Sequence, residues 1–522
     1  MTKKRQLPSK KLQDAAIVID VNVDQVAVAK TDISKGTVLD LLGKKIIIKK
    51  PIKTGQRFTV NDIKKGEFLK QYGYAFAQSK GISSGDLISL SNIKNSLPKV
   101  SLKKFKPPPI TKIKKEYYQK TFLGFKRKDG RIGTRNYYLV VPTSMCISEI
   151  ALEVAESLNN NPDILSRYEN IDGIVSIPHT EGCGCDSGLQ IERLMRVLRN
   201  YICHPNVGGC LILDLGCEQT NYEKMLPYLK DIVKSGIKPI DWLTFQKCGG
   251  TRLTIDKAKG IIKKRLPEVN RIKRTDQPIK SLIVGTECGA SDSFSGITAN
   301  PVIGRTVDKI VFAGGSAILS EIPEMVGTFQ MLLPRFRSLS TAKKFNEIMN
   351  WYVNFAKKLG LNMNANLVPK NIEGGLINNY IKSLGAVIKG GSTPIEDVID
   401  YADPVKKKGL SIMQGPGGDP ESITGIVASG STIICFSTGF GAPTGSAICP
   451  VIKITSSTKI FKKLHEDMDF DAGRLLARNT DIENLSEELL TEVIRVCSGK
   501  KTKSEICKQR QFQIWTAGKL PL

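Results

Sequence analysis

The sequence predicts an α/β protein: a small β-rich amino-terminal domain followed by two α/β units with mostly parallel sheets. Three features of the chain lead to this prediction. Its 522 residues exceed what one hydrophobic core can serve, so about three units are expected. The first hundred residues alternate apolar and polar positions between glycine turns. Beyond residue 120, short apolar runs are each followed by an amphipathic helical pattern, the βαβ signature of a parallel sheet.

Three similar stretches mark the amino-terminal domain, which we assign to residues 1–97. "TDISKG" at 31–36, "NDIKKG" at 61–66 and "KGISSG" at 80–85 each place an isoleucine shortly before a glycine. Alternating apolar segments such as "VAVAK" flank these turns and favour short strands. The following segment, 98–120, is rich in proline and lysine and has no periodic apolar face, so we interpret it as a linker.

The rest of the chain is divided into two α/β units, residues 121–275 and 276–522. In the first unit, "YYLVVPTSMC" precedes "ISEIALEVAESL", and "GGCLILDLGCE" precedes "NYEKMLPYLKDIV". In the second unit, "SLIVGTECGASDSFSGITANP" is again an apolar strand that runs into a glycine and serine turn. Ligands of such sheets bind at the carboxyl ends of the strands. Reactive side chains at strand ends are therefore the candidates for a functional site.

Basic residues exceed acidic ones, with 77 Lys and Arg against 50 Asp and Glu, so the formal net charge is +27. The excess is scattered along the chain, with neither zinc-finger spacing nor an aromatic-rich stretch among the charges, and no nucleic-acid partner is expected. A lysine-rich solvated surface is the simpler interpretation. A basic pocket for a small anionic substrate is compatible with it.

The chain contains no run of about 18 apolar residues, and its start, "MTKKRQLPSKK", lacks the apolar stretch of a secretion signal. We therefore expect a cytoplasmic protein with no membrane partner. In that compartment the twelve cysteines are expected to be reduced thiols, metal ligands or catalytic groups rather than disulfides. A homo-oligomer, most simply a dimer, is also expected.

Four cysteines, Cys146, Cys183, Cys217 and Cys288, follow predicted strands. Because equivalent strand ends share one edge of a parallel sheet, these thiols are expected to converge. Cys183, Cys217 and Cys288 each stand beside glycine and a carboxylate or amide, which favours metal binding over simple burial. Cys435 also ends a strand but is consistent with core packing. The cysteines interpreted as buried, hydrophobe-like residues are Cys203, Cys210, Cys497 and Cys507.

His179 stands beside the cysteines of "PHTEGCGCDSG" and is our candidate for a catalytic acid–base or a ligand. Glu181 next to it is either a base or an exposed loop carboxylate. Arg131 and Arg135, four apart in "RIGTRNYY", carry guanidinium forks that suit a substrate carboxylate. A solvated surface pair is the alternative.

Glu321 and Glu324 in "GGSAILSEIPEM" are three residues apart, so the first turn of a helix would bring them together as metal ligand or base. Alternatively, both stabilise a helix N-terminus. Lys389 ends an apolar run in "AVIKGGSTP", where burial can lower its pKa and make it a general base, with ordinary snorkelling as the alternative. The predicted catalytic residues are His179, Lys389 and Glu321.

The stretch "SDSFSGITANP" gathers hydroxyls, a carboxylate and an amide in one turn. That density suits a polyhydroxylated substrate, and a capped helix start is the alternative. The predicted substrate-binding residues here are Ser291, Asp292, Ser295 and Asn300.

Several long and unusual motifs run almost from end to end of the chain, among them "GFKRKDGRIGTRNYYLVVPT", "HTEGCG", "CGASDSFSGITANPVIG" and "SLGAVIKGGSTPI". Through them the chain closely resembles the altronate and galactarate dehydratase family, whose relatives include sulfolactate sulfo-lyase. The amino-terminal domain is similar to the SAF domain of these enzymes through "VAVAKTDISKG" and "FTVNDIKKGEFLKQYGYAFA".

The resemblance implies a hydro-lyase that dehydrates an aldonate or aldarate. A proton leaves the carbon beside the carboxylate, the neighbouring hydroxyl departs, and the enol becomes a 2-keto-3-deoxy acid. It also implies ferrous iron or a related divalent metal such as Mn²⁺, because a poor leaving group and a weakly acidic C–H both benefit from a Lewis acid. Cys183, Cys217 and Cys288 would hold the iron, or an iron–sulfur cluster with one open iron. A sulfo-lyase is the alternative activity.

The chain departs from this family at the end of the SAF domain. Relatives carry a histidine-rich stretch there, whereas this chain has "SLSNIKNSL" at 89–97 and three histidines in all. The histidine that usually precedes the family's "NVAVA" stretch is absent too. We therefore expect the small domain to supply at most hydrogen bonds to the substrate. A catalytically silent or ligand-sensing relative is a further alternative.

Overall fold

A computed structural model describes residues 10–184 and 188–516 of the chain. It confirms the predicted class, since a small β-rich domain precedes α/β regions with parallel sheets. Within the described ranges, no helix is both long and apolar enough to span a membrane.

The amino-terminal domain consists of three small sheets and one helical turn, Leu12–Ala15. Ile33 pairs with Ile52, and Ile63 pairs with Ile82, across isolated bridges, and all four side chains are buried. The similar stretches in the sequence are therefore repeated turns whose isoleucines are buried, Ile33 and Ile52 in one apolar cluster and Ile63 and Ile82 in a second. The strands, sheet by sheet, are Lys10–Lys11, Val38–Leu41 and Lys44–Ile47; Ala16–Ile17, Val26–Ala29 and Arg57–Thr59; and Phe68–Gln71, Tyr74–Ser79 and Ile93–Lys94.

The proline-rich segment 98–120 contains two short helical turns, Leu102–Lys104 and Lys115–Tyr118. An antiparallel sheet follows, in which Thr121–Lys126 pairs with Ile132–Gly133 on one side and with Arg274–Pro278 on the other. This sheet joins the beginning of the second unit to its end, close to the predicted boundary at residue 275.

The second unit contains a four-stranded parallel sheet, as the βαβ pattern predicts. Its strands, in sheet order, are Gly173–Ser176, Tyr137–Pro142, Val207–Asp214 and Ile240–Thr244. Apolar side chains on both faces of the sheet pack under helices. The helices are Met145–Asn159, Pro162–Leu165, Leu189–Cys203, Tyr222–Ser235 and Thr251–Asn270, with a 3-10 turn at Phe245–Lys247.

The third unit contains a seven-stranded sheet that is parallel throughout. Its strands, in sheet order, are Ile395–Ile399, Gly409–Met413, Ser316–Leu319, Ile283–Gly289, Ile433–Thr438, Val451–Thr455 and Phe470–Asp471. Its α-helices are Ala299–Phe312, Phe329–Leu332, Leu339–Lys358, Pro369–Glu373, Asn379–Val387, Asp419–Ala428, Thr458–Lys463, Ile482–Cys497 and Lys503–Ile506. Its 3-10 turns are Ile279–Ser281, Ile322–Met325, Leu333–Arg335, Met363–Asn366, Ile388–Gly390 and Ala472–Ala477.

The small domain packs directly on the third unit. Arg57 Nη1 donates to Ser293 Oγ at 2.8 Å and to the Gly375 carbonyl at 2.7 Å. Phe76 belongs to an apolar cluster that extends across the contact and includes Leu376, Ile381 and Leu384. The two units therefore share a core beside the carboxyl ends of the large sheet.

Candidate active site

Cys288 lies at the end of the central strand of the seven-stranded sheet, and Glu321 and Glu324 follow a neighbouring strand. Their sulfur and carboxylate oxygens lie within 4.8 Å of one another, the one such ligand group found in the described chain. The Cys288 thiol donates to Glu324 Oε2 at 2.8 Å and lies 3.7 and 3.8 Å from the Glu321 oxygens. All three side chains are buried.

An unusual turn aims the two glutamates at the thiol. Glu321 has a φ of 74°, a left-handed conformation that non-glycine residues rarely adopt and that is often found at functional sites. The 3-10 turn Ile322–Met325, with Pro323 near its start, then carries Glu324 back toward Cys288. The two carboxylates are adjacent, as their spacing suggests, but the local structure is a 3-10 turn and not the first turn of an α-helix.

Two lysines neutralise part of this acidic cluster. Lys389 Nζ lies 3.0 Å from Cys288 Sγ and 2.5 Å from Glu321 Oε2. Lys382 Nζ lies 2.8 Å from Glu324 Oε1. Both lysines come from the helical segment that faces the strand ends, and both are buried. The cluster is therefore an interior network of ion pairs.

Two further carboxylates, of Glu287 and Asp419, complete the cluster. Glu287 is fully buried and accepts a hydrogen bond from Ser422 Oγ at 2.6 Å. The Asp419 carboxylate lies against Gly289, because a Cβ built on this glycine would stand 2.2 Å from Asp419 Oδ2. A glycine is therefore required at this strand end. Neither carboxylate was among the residues singled out from the sequence, although Glu287 directly precedes Cys288.

Burial shifts the proton affinities of these groups. It raises the pKa of Glu321 to about 8, against the opposing charge of Lys389, and that of Asp419 to about 7. Burial would also raise the pKa of Glu324, but Lys382 and Lys389 lower it. Although burial lowers the pKa of Lys389, the surrounding thiol and carboxylates raise it further. The direction of this shift does not support a Lys389 that burial makes neutral, and its role as a base stays a prediction.

The donor set fits a divalent transition metal. One thiolate and two carboxylates form a mixed sulfur and oxygen set, which suits iron better than it suits magnesium or calcium. The cluster holds two ammonium groups against four carboxyl groups and one thiol, so a dication would offset the negative charge that forms when the donors lose their protons. In the present arrangement the Lys389 ammonium contacts two of the three donor residues.

The predicted substrate-binding turn lines a small cavity next to this cluster. Ser291, Asp292, Ser295 and Asn300 all contribute to the lining, and so does Lys382, which pairs with the metal-site residue Glu324. The structure thus brings the hydroxyl-rich turn and the acidic cluster together through one lysine. The turn also caps itself, because Asp292 Oδ1 accepts hydrogen bonds from the backbone N–H groups of two residues that follow it.

The small domain contributes Arg57 and Tyr72 to the same cavity. Arg57 is 1% exposed, and burial lowers its pKa to about 10, so it remains a cation at neutral pH. Sequence inspection missed this residue. The sequence feature that could have pointed to it is an arginine in the short buried strand "RFT". A charged side chain is expected in such a strand only if it has partners inside the protein.

Both arginines predicted to bind a carboxylate have structural partners instead. Arg131 is paired with Asp129 in an exposed turn. Arg135 is buried, and all five of its N–H donors are used, two by Glu505 and three by backbone carbonyls. No donor of Arg135 is left for a substrate, so the structure corrects this assignment.

His179 also has the contacts of a structural residue. Its Nε2 donates to the Pro142 carbonyl at 2.9 Å, and its Nδ1 accepts from the Glu181 N–H at 3.1 Å. Glu181 is 4% exposed, so it is not the exposed loop carboxylate of the alternative interpretation. These hydrogen bonds hold the loop that follows Gly173–Ser176, in the second unit, and the Cys288 cluster belongs to the third. The catalytic role of His179 stays a prediction without support from these contacts.

The three cysteines predicted to share a metal are divided between two sheets. Cys183 and Cys217 follow strands of the four-stranded sheet, where both neighbour Cys146. Cys288 belongs to the seven-stranded sheet and contacts glutamates. The reason is topological, because the strand ends converge within each sheet rather than across the whole chain. The cysteines predicted to form one group therefore belong to two: Cys183 and Cys217 lie with Cys146, and Cys288 lies with the glutamates.

Most of the remaining cysteines are buried, as their sequence context predicts. Cys435 is buried in the core of the third unit, in line with the packing alternative. Cys507 is exposed, which corrects its assignment as a buried residue. The cysteines buried as expected are Cys203, Cys210 and Cys497.

The residues that stand where relatives carry histidines bond within the small domain. The hydroxyls of Ser89 and Ser91 are 2.7 Å apart, and Asn92 Nδ2 donates to the Leu87 carbonyl at 2.9 Å. These side chains offer hydrogen bonds but no imidazole. The expectation that the small domain is not catalytic stays a prediction. In addition to hydrogen bonds, this domain brings the charge of Arg57 to the cavity.

Comparison with known proteins covers most of the chain. Residues 15–96 match the altronate/galactarate dehydratase SAF domain, residues 124–270 the second domain of D-galactarate dehydratase/altronate hydrolase, and residues 279–520 the D-galactarate/altronate dehydratase C-terminal domain. Altronate dehydratase of Bacillus subtilis is 31% identical over 95% of this chain and 97% of its own length. Galactarate dehydratase (L-threo-forming) of Escherichia coli is 31% identical over 73% of each chain. The (2R)-sulfolactate sulfo-lyase subunit beta of Chromohalobacter salexigens is 27% identical over 75% of this chain and 96% of its own. The chain therefore belongs to the D-galactarate/altronate dehydratase family.

Proposed function

We propose that this protein is a hydro-lyase that removes water from a sugar acid, an altronate-like aldonate or a galactarate-like aldarate, to form a 2-keto-3-deoxy acid. The observation that carries the proposal is the buried group of Cys288, Glu321 and Glu324 next to a cavity lined with hydroxyls and two cations. Membership of the dehydratase family supports the same reaction.

Iron(II) is the metal that these donors favour, with Mn²⁺ as the alternative. The thiolate of Cys288 selects for a softer ion, and the carboxylates of Glu321 and Glu324 accept either metal. When bound, the metal supplies a Lewis acid for a leaving hydroxyl that is poor without one.

Arg57 and Lys382 are suited to hold the substrate carboxylate. Both are buried cations on the cavity wall, and a guanidinium and an ammonium are the groups that recognise carboxylates in a site closed to water. The hydroxyls of Ser291 and Ser295 lie on the same wall and suit the substrate hydroxyls. The substrate would thus be anchored between the small domain and the third unit.

Glu321 and Lys389 are the pair best placed to move the protons. Their atoms are 2.5 Å apart, so a proton can pass between them along one hydrogen bond. In the reaction this pair takes one proton from the carbon beside the carboxylate and returns one to the departing hydroxyl. The protonation of the pair is then the same before and after each turnover.

A sulfo-lyase reaction is the second candidate, in which sulfite leaves in place of hydroxide. It is favoured by the similarity to the sulfolactate sulfo-lyase subunit, which extends over 75% of this chain. The two buried cations of the cavity suit a substrate with two anionic groups as well as one with a single carboxylate.

Anaerobic assays with Fe²⁺ test the two reactions. We expect altronate or galactarate to yield a keto acid, detected as its semicarbazone, while sulfolactate releases no sulfite. Cys288→Ala should abolish the activity, whereas Cys435→Ala, at a buried cysteine of the next strand, should retain it. Sulfite release without keto acid from any sugar acid would favour the sulfo-lyase, and inactivity toward all of these substrates would favour a silent relative.

We also propose that the protein acts in the cytoplasm as a homodimer. The twelve cysteines, for which no disulfide is expected, support the first part. Light scattering on the purified protein tests the second part, because a dimer has twice the 57.4 kDa mass of the chain.

A further inference from the structure

Three cysteines outside the candidate active site lie at the carboxyl edge of the four-stranded sheet. Cys146, Cys183 and Cys217 follow three adjacent parallel strands, and all three are exposed. The strand before Cys146 lies between the other two, so the three loops leave the sheet side by side. The thiols therefore share one small region of the surface.

Close contacts tie these loops together. Gly182 packs so tightly on the turn before Cys146 that a Cβ would stand 2.7 Å from Ser144 Cα. Thr143 Oγ1 donates to Glu218 Oε1 at 2.6 Å, which joins the same turn to the third loop. Each contact lies within three residues of a cysteine, so the thiol positions are held by the fold.

The thiols are close enough to affect one another. The Cys146 and Cys183 thiols are within hydrogen-bond distance, and Cys217 is near enough to interact with Cys146. Three thiolates in such proximity repel one another unless a cation lies between them. A thiophilic metal removes the three protons and neutralises that charge.

The backbone around the thiols is suited to an anionic cluster. Gly182, Gly184 and Gly216 have φ values of 100°, 67° and 120°, which only glycine adopts readily, and without a Cβ the backbone can approach a bulky cluster closely. Cys146 lies in the first turn of the helix Met145–Asn159, where the helix dipole favours negative charge. Both features are known from iron–sulfur and other anion sites.

Two other candidate ligands in these loops are already engaged. Both ring nitrogens of His179 are hydrogen-bonded to backbone groups. The carboxylate of Glu218 accepts from the N–H groups of Leu215 and Gly216, at 2.9 and 2.7 Å. Among the described residues of these loops three thiolates remain, a set that matches a cluster with one iron free of protein ligands better than it matches a closed structural zinc site, which needs four.

We propose that Cys146, Cys183 and Cys217 bind an iron–sulfur cluster of the four-iron type, as a second metal centre apart from the group of Cys288, Glu321 and Glu324. Each thiol gives up its proton and ligates one iron. The proposal does not depend on the hydro-lyase reaction, because its ligands belong to another sheet.

Reconstitution of the full chain tests this proposal. The protein is incubated anaerobically with Fe²⁺, sulfide and a thiol reductant, desalted, and assayed for iron, for acid-labile sulfide and for the visible absorption of sulfide-to-iron charge transfer. We expect about four iron and four sulfide per chain in addition to any mononuclear iron. Cys146→Ala, Cys183→Ala and Cys217→Ala should each lose the sulfide, while Cys288→Ala and Cys507→Ala should keep it.

Circular dichroism and a melting curve for each variant show whether it has folded, and Cys→Ser versions replace any that has not. Absence of bound sulfide from the folded wild-type protein would overturn the proposal. So would one zinc per chain without sulfide that is lost in the same three variants, or a disulfide between these cysteines that persists under reducing, anaerobic conditions.

Discussion

Glu321 is the residue on which the proposed chemistry depends most. It is fully buried, it sits in a left-handed conformation, and burial raises its pKa to about 8 while Lys389 opposes the rise. In the metal-free protein, a carboxyl with this proton affinity exchanges a proton near neutral pH, which an exposed glutamate does not. Its value as an acid–base group therefore comes from its surroundings.

The raised pKa predicts how the stability of the protein depends on pH. The folded state binds this proton more tightly than the unfolded chain, so the contribution is present below the ordinary pKa of 4.5 and is lost as the pH rises through about 8. Asp419, with a pKa of about 7, acts in the same direction. We expect the melting temperature of chelator-treated protein to fall by several degrees over this range. Glu321→Gln should flatten the profile and exposed Glu373→Gln should not, and a steep profile in Glu321→Gln would contradict the assignment.

Arg57 and Arg131 form a matched pair for substrate binding. Arg57 is buried on the cavity wall, whereas Arg131 is paired with Asp129 at the surface. Loss of a charged hydrogen bond costs ~1.5–3 kcal/mol, so Arg57→Ala should raise KM about tenfold to a hundredfold. Arg131→Ala should leave KM unchanged in the same keto-acid assay. Equal effects of the two substitutions would exclude Arg57 as the carboxylate anchor.

At the scale of elements, Arg135 joins the beginning of the second unit to the carboxyl-terminal helices. It lies just before the strand Tyr137–Pro142 and donates to Glu505 and to the carbonyls of Val496 and Lys500, at and just after the end of one helix. The pair with Glu505 is almost completely buried. An unpartnered charge in such a place is costly, so this contact fixes how the two α/β units meet.

Removal of Arg135 is therefore predicted to destabilise the protein. Arg135→Ala should lower the free energy of unfolding by ~3–5 kcal/mol, because Glu505 is left buried without its partner. Arg474→Ala breaks an exposed pair with Glu488 and should cost less than ~1 kcal/mol. Urea denaturation of both variants measures the difference, and similar midpoints would show that Arg135 is dispensable for the fold.

For the whole molecule, the small domain and the third unit enclose the cavity together. The domain brings Arg57 and Tyr72, and its core continues into Leu376 and Ile381. The ligand group of Cys288 needs none of these residues. Deletion of residues 1–97 should thus weaken substrate binding and lower the melting temperature but leave the bound metal in place, as metal analysis would record. Loss of the metal would show that the centre depends on the domain interface.

Restoration of the missing histidines gives a second test at this scale. Ser89 and Ser91 bond to each other within the small domain, and the proposed acid–base pair belongs to the third unit. The double variant Ser89→His, Ser91→His should therefore change kcat/KM by less than about twofold. An increase by orders of magnitude would mean that the present site is degenerate and that the histidines carried the chemistry.

The sequence by itself determined the three-part architecture, the parallel sheets and the local turns. These depend on apolar periodicity and on glycine positions, which are properties of neighbouring residues. It also singled out Cys288, Glu321, Lys389 and the turn 291–301 as candidates, because each ends a strand or interrupts an apolar run.

Tertiary structure alone decided which of these residues meet. The cysteines divide between two sheets because strand ends converge only within a sheet, and Arg135 proved structural because its partners come from residues 496–505. Arg57 reaches the cavity from more than two hundred residues away. The proton affinity of Lys389 likewise depends on acidic groups that folding places around it, and no local pattern encodes their number or their distance.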